Sequence, residues 1–339
     1  MKLISVFIFF LVTQNVAASP LFEESSDQPL VVVIETDLHK IKNKKSDYHT
    51  STENYINGRF QIRDEAFDIK LQTRGHDRLA SCPFPPLRIF FDKSKVKKSL
   101  LKHNHNLKMV THCQEDVLHL LFQEYSIYKI YNLITPYSFQ VRLLKVQYID
   151  INRKEDAIET YAFFIESPKS IEKRLELVEL ESDQDFNMKT YTDISEYWLS
   201  VSQTKLQDAF QHLIRNSDWV IFYTDATRTF LLANIKFFSN GKEGFPFPYD
   251  FDLAGMVTGH TENYQFRYGN EFLCEDVEMK RALMKILSHK DEYPELLDND
   301  SLLSIDYKRK FTEYLDKFET VDDFCSEMDL VELALNQDK

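Results

Sequence analysis

The chain has 339 residues, 43% hydrophobic and 14% aromatic, enough to bury a sizeable core in one large unit or two closely joined ones. A formal charge of −13 argues against nucleic acid or anionic lipid as a partner. With only seven glycines, Gly-rich phosphate loops and repeat architectures are disfavoured.

The first element is a leader. Met1-Lys2 precedes an apolar run from Leu3 to Val12, then polar Thr13-Gln14-Asn15 and small Val16-Ala17-Ala18. These three parts predict a signal peptide over residues 1–18, cut after Ala18. The run falls short of the roughly 20 residues a spanning helix needs. A secreted or periplasmic location follows as the expectation, with no membrane span left after cleavage. Residues 19–28 are polar and expected to be disordered.

Strand signals come next. Leu30 to Ile34 is a dense β run, and Asn57-Gly58 inside Tyr55 to Phe60 reads as a hairpin turn. Phe67 to Thr73 alternates apolar and polar until Arg74-Gly75 ends it. Phe84 to Phe91 and Leu107 to His112 read as two strands joined by a Lys-rich loop. If these two pair antiparallel, Cys82 sits beside Cys113. Four cysteines in an exported chain suggest disulfides, so Cys82–Cys113 is predicted, which leaves Cys274–Cys325.

Asp116 is placed as the cap of a long helix, 117–134, ended by Thr135-Pro136. Two further strands, Ser138 to Asp150 and Tyr161 to Glu166, flank a polar turn. Pro168 starts a charged helical stretch to about Leu180, Glu179 to Lys189 reads as an acidic loop, and from Tyr191 the pattern turns helical, with an amphipathic stretch over Thr204 to Asn216 and then a strand pair, Asn234 to Phe238 and Phe245 to Tyr249. Beyond Asp252 helix dominates. The expected plan is α+β: a β-rich N-lobe over 29–168 that includes helix 117–134, and a helical C-lobe over 169–339.

Two clusters carry candidate chemistry. Glu124 lies on the apolar stripe of helix 117–134, and a buried carboxylate needs a cationic partner. Lys108, on the strand before that helix, is the expected partner, an arrangement that kinases use to hold phosphates. In the second half, Asp250 and Asp252 in PYDFD share a face if the strand continues, and hard oxygen ligands of this kind suit Mg²⁺ or Mn²⁺. Asp218, in RNSDW, and Asn234, in NIKFF, precede them in the order of base, metal-binding Asn and metal-binding Asp in kinase-type sites.

The runs TRGHDRLASCPFPPLRIFF, LKMVTHCQEDVLHLLFQEYSIYKIYNLI, VRLLKVQYID, YAFFIE, NSDW, NIKFF and PYDFDLAG resemble the spore-coat CotH kinase-like family over roughly residues 67–255. The resemblance implies a two-lobed protein-kinase-like fold and phosphate transfer from Mg- or Mn-bound ATP to a protein or other envelope acceptor. It implies Asp218 as the catalytic acid, Asn234, Asp250 and Asp252 as metal ligands, and Arg74 near the phosphates. The family's basic strand could match either Lys108 or Arg88. Asp218 and Asn234 stand 16 positions apart where the usual kinase loop separates them by about five, so residues 223–232 must loop out. Two alternatives stand beside this reading: a catalytically inactive binding protein of the same fold, and a metal-dependent hydrolase.

Overall fold

The computed structural model describes residues 19–23, 28–43, 55–75, 77–180, 183–185, 188–192, 199–224, 229–259 and 275–326. The expected leader, 1–18, and Cys274 lie outside the described residues. The segment expected to be a disordered N-terminus begins instead with a helical turn, α1 (Pro20–Glu23), whose Leu21 is 1% exposed in the core of the first half.

Alternating apolar residues in the first half build seven strands: β1 (Leu30–Thr36), β2 (Ile56–Ile62), β3 (Glu65–Thr73), β4 (Leu87–Phe91), β5 (Asn106–Thr111), β6 (Val141–Asp150) and β7 (Ile158–Ile165). They run in the order β1-β2-β3-β4-β5-β7-β6 and close into a barrel, because β1 also pairs with β6 in parallel from Leu30↔Leu144 to Thr36↔Asp150. One set of alternating side chains fills the interior, with Val32, Ile34, Phe60, Leu71, Ile89 and Phe164 all buried. The Asn57-Gly58 pair lies inside β2 and not at a turn; the hairpin turns at Arg63-Asp64, with Arg63 at φ 51°. Gly58 is required for approach: a Cβ there would stand 2.8 Å from the Glu35 carbonyl oxygen of β1.

Three helices sit among these strands: α2 (Leu38–Asn43), α3 (Asp77–Ser81) and α4 (Leu118–Ile134). Asp116 does not cap α4; residues Glu115–Val117 form a 3₁₀ turn and Val117 precedes the helix with no side-chain cap. The remainder holds α5 (Pro168–Leu175), β8 (Val178–Glu179), β9 (Asp183–Asp185), β10 (Met188–Thr192), α6 (Val201–Leu213), β11 (Val220–Thr224), β12 (Thr229–Ala233), β13 (Ile235–Ser239), β14 (Gly244–Pro248), α7 (Gly255–Thr258), α8 (Val277–Ser288), α9 (Glu292–Asp298) and α10 (Ile305–Leu315). Strands β11-β12-β10-β9 form one sheet and β14-β13-β8 another.

The class is α+β, but the expected two-lobed protein-kinase-like fold is not found. The N-terminal sheet closes into a seven-stranded mixed barrel and does not stand as a separate β-rich lobe. The expected division at 168/169 is also crossed by one core. Tyr128 and Tyr131 of α4 pack in the same cluster as Val110, Leu143 and Phe163 of the barrel and Phe210, Phe251 and Phe311 of the second half. The closing β1–β6 pair joins residues more than a hundred positions apart. Strand periodicity reports which residues face inward but not which distant strand they meet.

The strand pairing that predicted the first disulfide is present. β4 and β5 run antiparallel, Phe84 bridges Cys113, and Cys82–Cys113 is closed with the Cα atoms 4.7 Å apart. Cys325 is disulfide-bonded as well. A chain-entropy argument for the 31-residue separation predicts that Cys82→Ala/Cys113→Ala loses about 4 kcal/mol of stability. Urea unfolding of the double variant checks it, and a loss below about 1 kcal/mol would remove the disulfide's stabilising role. Among the described residues, no helix is long and apolar enough to cross a membrane.

Candidate functional site

A small cleft of about 130 Å³ lies between the outer face of the barrel and the β13–β14 hairpin. Arg88 on β4 and Lys108 on β5 are direct cross-strand partners, and both line it. Arg74, just past β3, and Lys236 on β13 add two more cations, with Tyr249 and Asp250 opposite. Like charges directly across a strand pair repel. Some of this charge is answered locally: Arg88 Nε donates to Asn106 Oδ1 at 2.8 Å, and Lys236 pairs with Glu179. Lys108 Nζ stands 5.1 Å from the centroid of the Tyr249 ring. Burial and the neighbouring Arg74 guanidinium both hold the Arg88 pKa below its ordinary value. Glu166 on the rim is committed elsewhere, to a buried ion pair with Arg174 at 2.8 Å.

Asp218, Asn234 and Asp250 are brought to one end of the second half by two successive hairpins. The residues between Asp218 and Asn234 form β11–β12, with Val220 opposite Ala233. Those between Asn234 and Asp250 form β13–β14, with Ile235 opposite Pro248. A hairpin returns the chain to its starting point, so the 16-residue spacing becomes a contact. Asn234 Nδ2 donates to Asp218 Oδ2 at 2.8 Å and to the Asp218 carbonyl at 2.6 Å. Both hinge residues are left-handed, Asn234 at φ 53° and Asp250 at φ 65°, a conformation that Asn and Asp tolerate better than most. The Asp250 amide donates to the buried Tyr128 hydroxyl at 2.8 Å, which ties this end to α4.

Glu124 does find a cation, but it is not Lys108. Arg78 on α3 donates from Nη2 to Glu124 Oε2 and from Nε to Asp252 Oδ2, each at 2.7 Å. Lys108 faces the cleft instead, because Glu124 points from α4 toward α3. Glu124 is 1% exposed, and burial pushes its pKa up to about 7, with Asp252 and Asp250 adding and Arg78 opposing. Burial also raises Asp252, opposed by Arg78 and helped by Asp250 and Asp218. Burial works against the Arg78 charge, yet Glu124, Asp252 and Asp250 outweigh it and push its pKa up. The second Glu124 oxygen, Oε1, is buried and has no hydrogen-bond partner.

A divalent cation fits the chemistry of this end. Asp218, Asn234, Asp250 and Asp252 offer hard oxygens, and Asp250 and Asp218 both raise the proton affinity of Asp252, as neighbouring negative charges do. Among the described residues, however, no three His, Cys, Asp or Glu side chains form a ready-made metal cage. Mg²⁺ needs none, since it commonly uses one or two carboxylates, waters and ligand phosphates.

No protein-family profile matches this chain, and no curated protein matches it.

Sequence reasoning missed Arg78 and Lys236. Arg78 had a signal: Glu124 on an apolar stripe demanded a cation. Which cation answers was set by a contact across 46 residues. Lys236 alternates with buried Ile235 and Phe237 on a strand, and that pattern marked it only as outward-facing.

Proposed function

We propose that this chain transfers phosphate from Mg- or Mn-bound ATP to a protein or other envelope acceptor outside the cytoplasm, as its resemblance to the CotH kinase-like family implies. The observation that supports the reading best is the juxtaposition of opposite charges across one cleft. Arg74, Arg88, Lys108 and Lys236 line the same space as Asp250. Side-by-side cations attract a polyanion, and hard oxygens beside them attract the divalent cation such a polyanion carries.

In this reading the basic face holds the phosphates, and Asp250 and Asn234 hold the metal. A bound Mg²⁺ would neutralise charge on the phosphoryl oxygens. Asp218, held by Asn234, orients or deprotonates the acceptor hydroxyl. The cleft, at about 130 Å³, is smaller than the ~300–1,000 Å³ of a whole-ligand pocket and suits the phosphate end of a nucleotide.

A non-catalytic binding role is favoured by one observation. The amide of Asn234 is spent on Asp218, so the catalytic acid and the metal-binding amide satisfy each other. Incubation of the purified mature chain with labelled ATP and Mn²⁺ or Mg²⁺ separates these readings. Transfer of label supports the phosphotransferase. Metal-dependent nucleotide binding without transfer supports the binding protein. Hydrolysis of a generic phosphoester without ATP supports a metal-dependent hydrolase and ends the first reading. Asp250→Ala should lose Mg²⁺-dependent nucleotide binding by at least tenfold with the fold intact, as read by calorimetry; unchanged affinity would take Asp250 out of the site.

A further inference from the structure

We propose that the nucleotide base lies on the outer face of β3 and β4, in a groove beside the cationic cleft, with its exocyclic amine toward Asp68 and Asp92. The proposal rests on the phosphotransferase reading above and says where the rest of the donor sits.

The starting point is size. The cleft, at about 130 Å³, has room for a phosphate end but not for a whole nucleotide. A wider groove of about 570 Å³ lies on the same barrel face, lined by Asn57, Asp68, Lys70, Phe90 and Asp92. The two adjoin. Phe90 in the groove is the direct cross-strand partner of Asn106 in the cleft. It also follows Arg88 by two residues on the same face of β4, about 7 Å away, a gap that one sugar can bridge. The groove offers a platform for a base. Phe90 is half-buried, and Tyr55 meets it edge to face with the ring centroids 5.1 Å apart. Arg88 Cζ stands 5.2 Å from the Phe90 centroid, and Lys70 Nζ 5.4 Å from that of Tyr55. Aromatic rings and guanidinium planes are both surfaces on which bases stack. Register assembles the platform: Lys70 faces Phe90 across β3–β4, and Asn57 faces Lys70 across β2–β3.

Charge decides the class of ligand. The cleft end carries Arg74, Arg88 and Lys108. The far end of the groove carries Asp68 and Asp92, both exposed and each one residue beyond the Ile69–Phe91 pair of β3 and β4. A polyanion laid along the whole face would run from cations into carboxylates, so an acidic peptide matches only half of it. A ligand that is anionic at one end and donates hydrogen bonds at the other matches both ends. A nucleoside triphosphate with an amino-bearing base is such a ligand, and the adenine 6-amino group is a donor that a carboxylate can accept from.

Calorimetry on the full chain in Mg²⁺, with ATP and inorganic tripolyphosphate as separate titrants, tests this. Tripolyphosphate carries more charge than ATP, so the cleft alone would favour it; a base held in the groove should make ATP bind at least fivefold tighter. Phe90→Ala should weaken ATP by about 5- to 150-fold, the range for a stacking ring lost to alanine, and leave tripolyphosphate unchanged. Purine riboside triphosphate, which lacks the 6-amino group, should bind the wild type at least fivefold more weakly than ATP. ATP bound no tighter than tripolyphosphate or purine riboside triphosphate, or ATP affinity unmoved by Phe90→Ala, would overturn the proposal and leave the reading of the cleft standing. A polyglutamate peptide that binds more tightly than ATP and is weakened by Phe90→Ala would give the groove to an acidic acceptor and overturn it as well. No binding of either ATP or tripolyphosphate would overturn both. The wild-type comparison decides the matter even if Phe90→Ala does not fold.

Discussion

If the proposed phosphotransfer holds, Asp218→Asn should transfer phosphate about 10²–10⁴-fold more slowly than the wild type while binding nucleotide equally well, the range that a positioned acid–base group contributes. The reasoning is positional. Asp218 is not among the residues that line the cationic cleft, so its loss leaves that face unchanged. Its backbone is fixed from two sides: its amide donates to Asn216 Oδ1 at 2.9 Å, and its carbonyl accepts from Asn234. Asn216 is itself buried and donates to Gln211 Oε1 at 2.9 Å on α6. An asparagine at 218 keeps the size of the side chain and an oxygen to accept from Asn234 Nδ2, so the hairpin bases stay joined. What it removes is the ability to take a proton. A plain structural role for Asp218 predicts the reverse pattern: full turnover with a small change in stability. Single-turnover labelling of the variant beside a nucleotide-binding titration separates the two, and label transferred at the wild-type rate would sink the assignment.

Asp208→Asn should be more stable than the wild type by about 4 kcal/mol at pH 8 and nearly equal to it at pH 4. Asp208 is 6% exposed on α6, and its Oδ1 has no hydrogen-bond partner. Burial pushes its pKa up to about 7, against a weaker pull from Lys205. The unfolded chain would titrate near pH 3.9, so the folded state holds this proton more tightly. A raised carboxylate stabilises the fold while protonated in both states, below about pH 4, and that contribution is lost as pH rises to about 7. Three pKa units at about 1.4 kcal/mol each give the size of the loss. Asparagine carries no charge at any pH, so it removes the loss. Glu124, raised to about 7 by the same cause, adds a second decline over the same window that Asp208→Asn leaves in place. Urea unfolding at pH 4 and pH 8 tests the difference; equal stability at pH 8 would show that Asp208 ionises without cost.

Much of the local structure was legible because each signal is short-range. The alternation in Phe67 to Thr73 and the dense run Leu30 to Ile34 mark strands that form. The Cys82–Cys113 closure followed from two strands and one loop, a contact the chain makes with its nearest neighbour. The stripe holding Glu124 marked a buried carboxylate, and Glu124 is buried. The strands β11 and β12 were not read from the sequence, although the need for residues 223–232 to loop out was.

The sequence by itself determined the inward faces of the barrel strands, the cysteine pair and the presence of a buried acid at Glu124, because periodicity and adjacency act over a few residues. Only the tertiary structure decided three things. It paired β1 with β6 in parallel and so closed a barrel where a separate lobe was expected. It gave Glu124 to Arg78 and left Lys108 to the cleft. And it turned the 16-residue intervals from Asp218 to Asn234 and from Asn234 to Asp250 into hairpins that bring their ends together. Each is a choice among distant partners that are locally equivalent. Inward-facing strands and outward-pointing cations carry no mark of which remote residue they will meet; shared burial and charge compensation make that selection only when the whole chain packs.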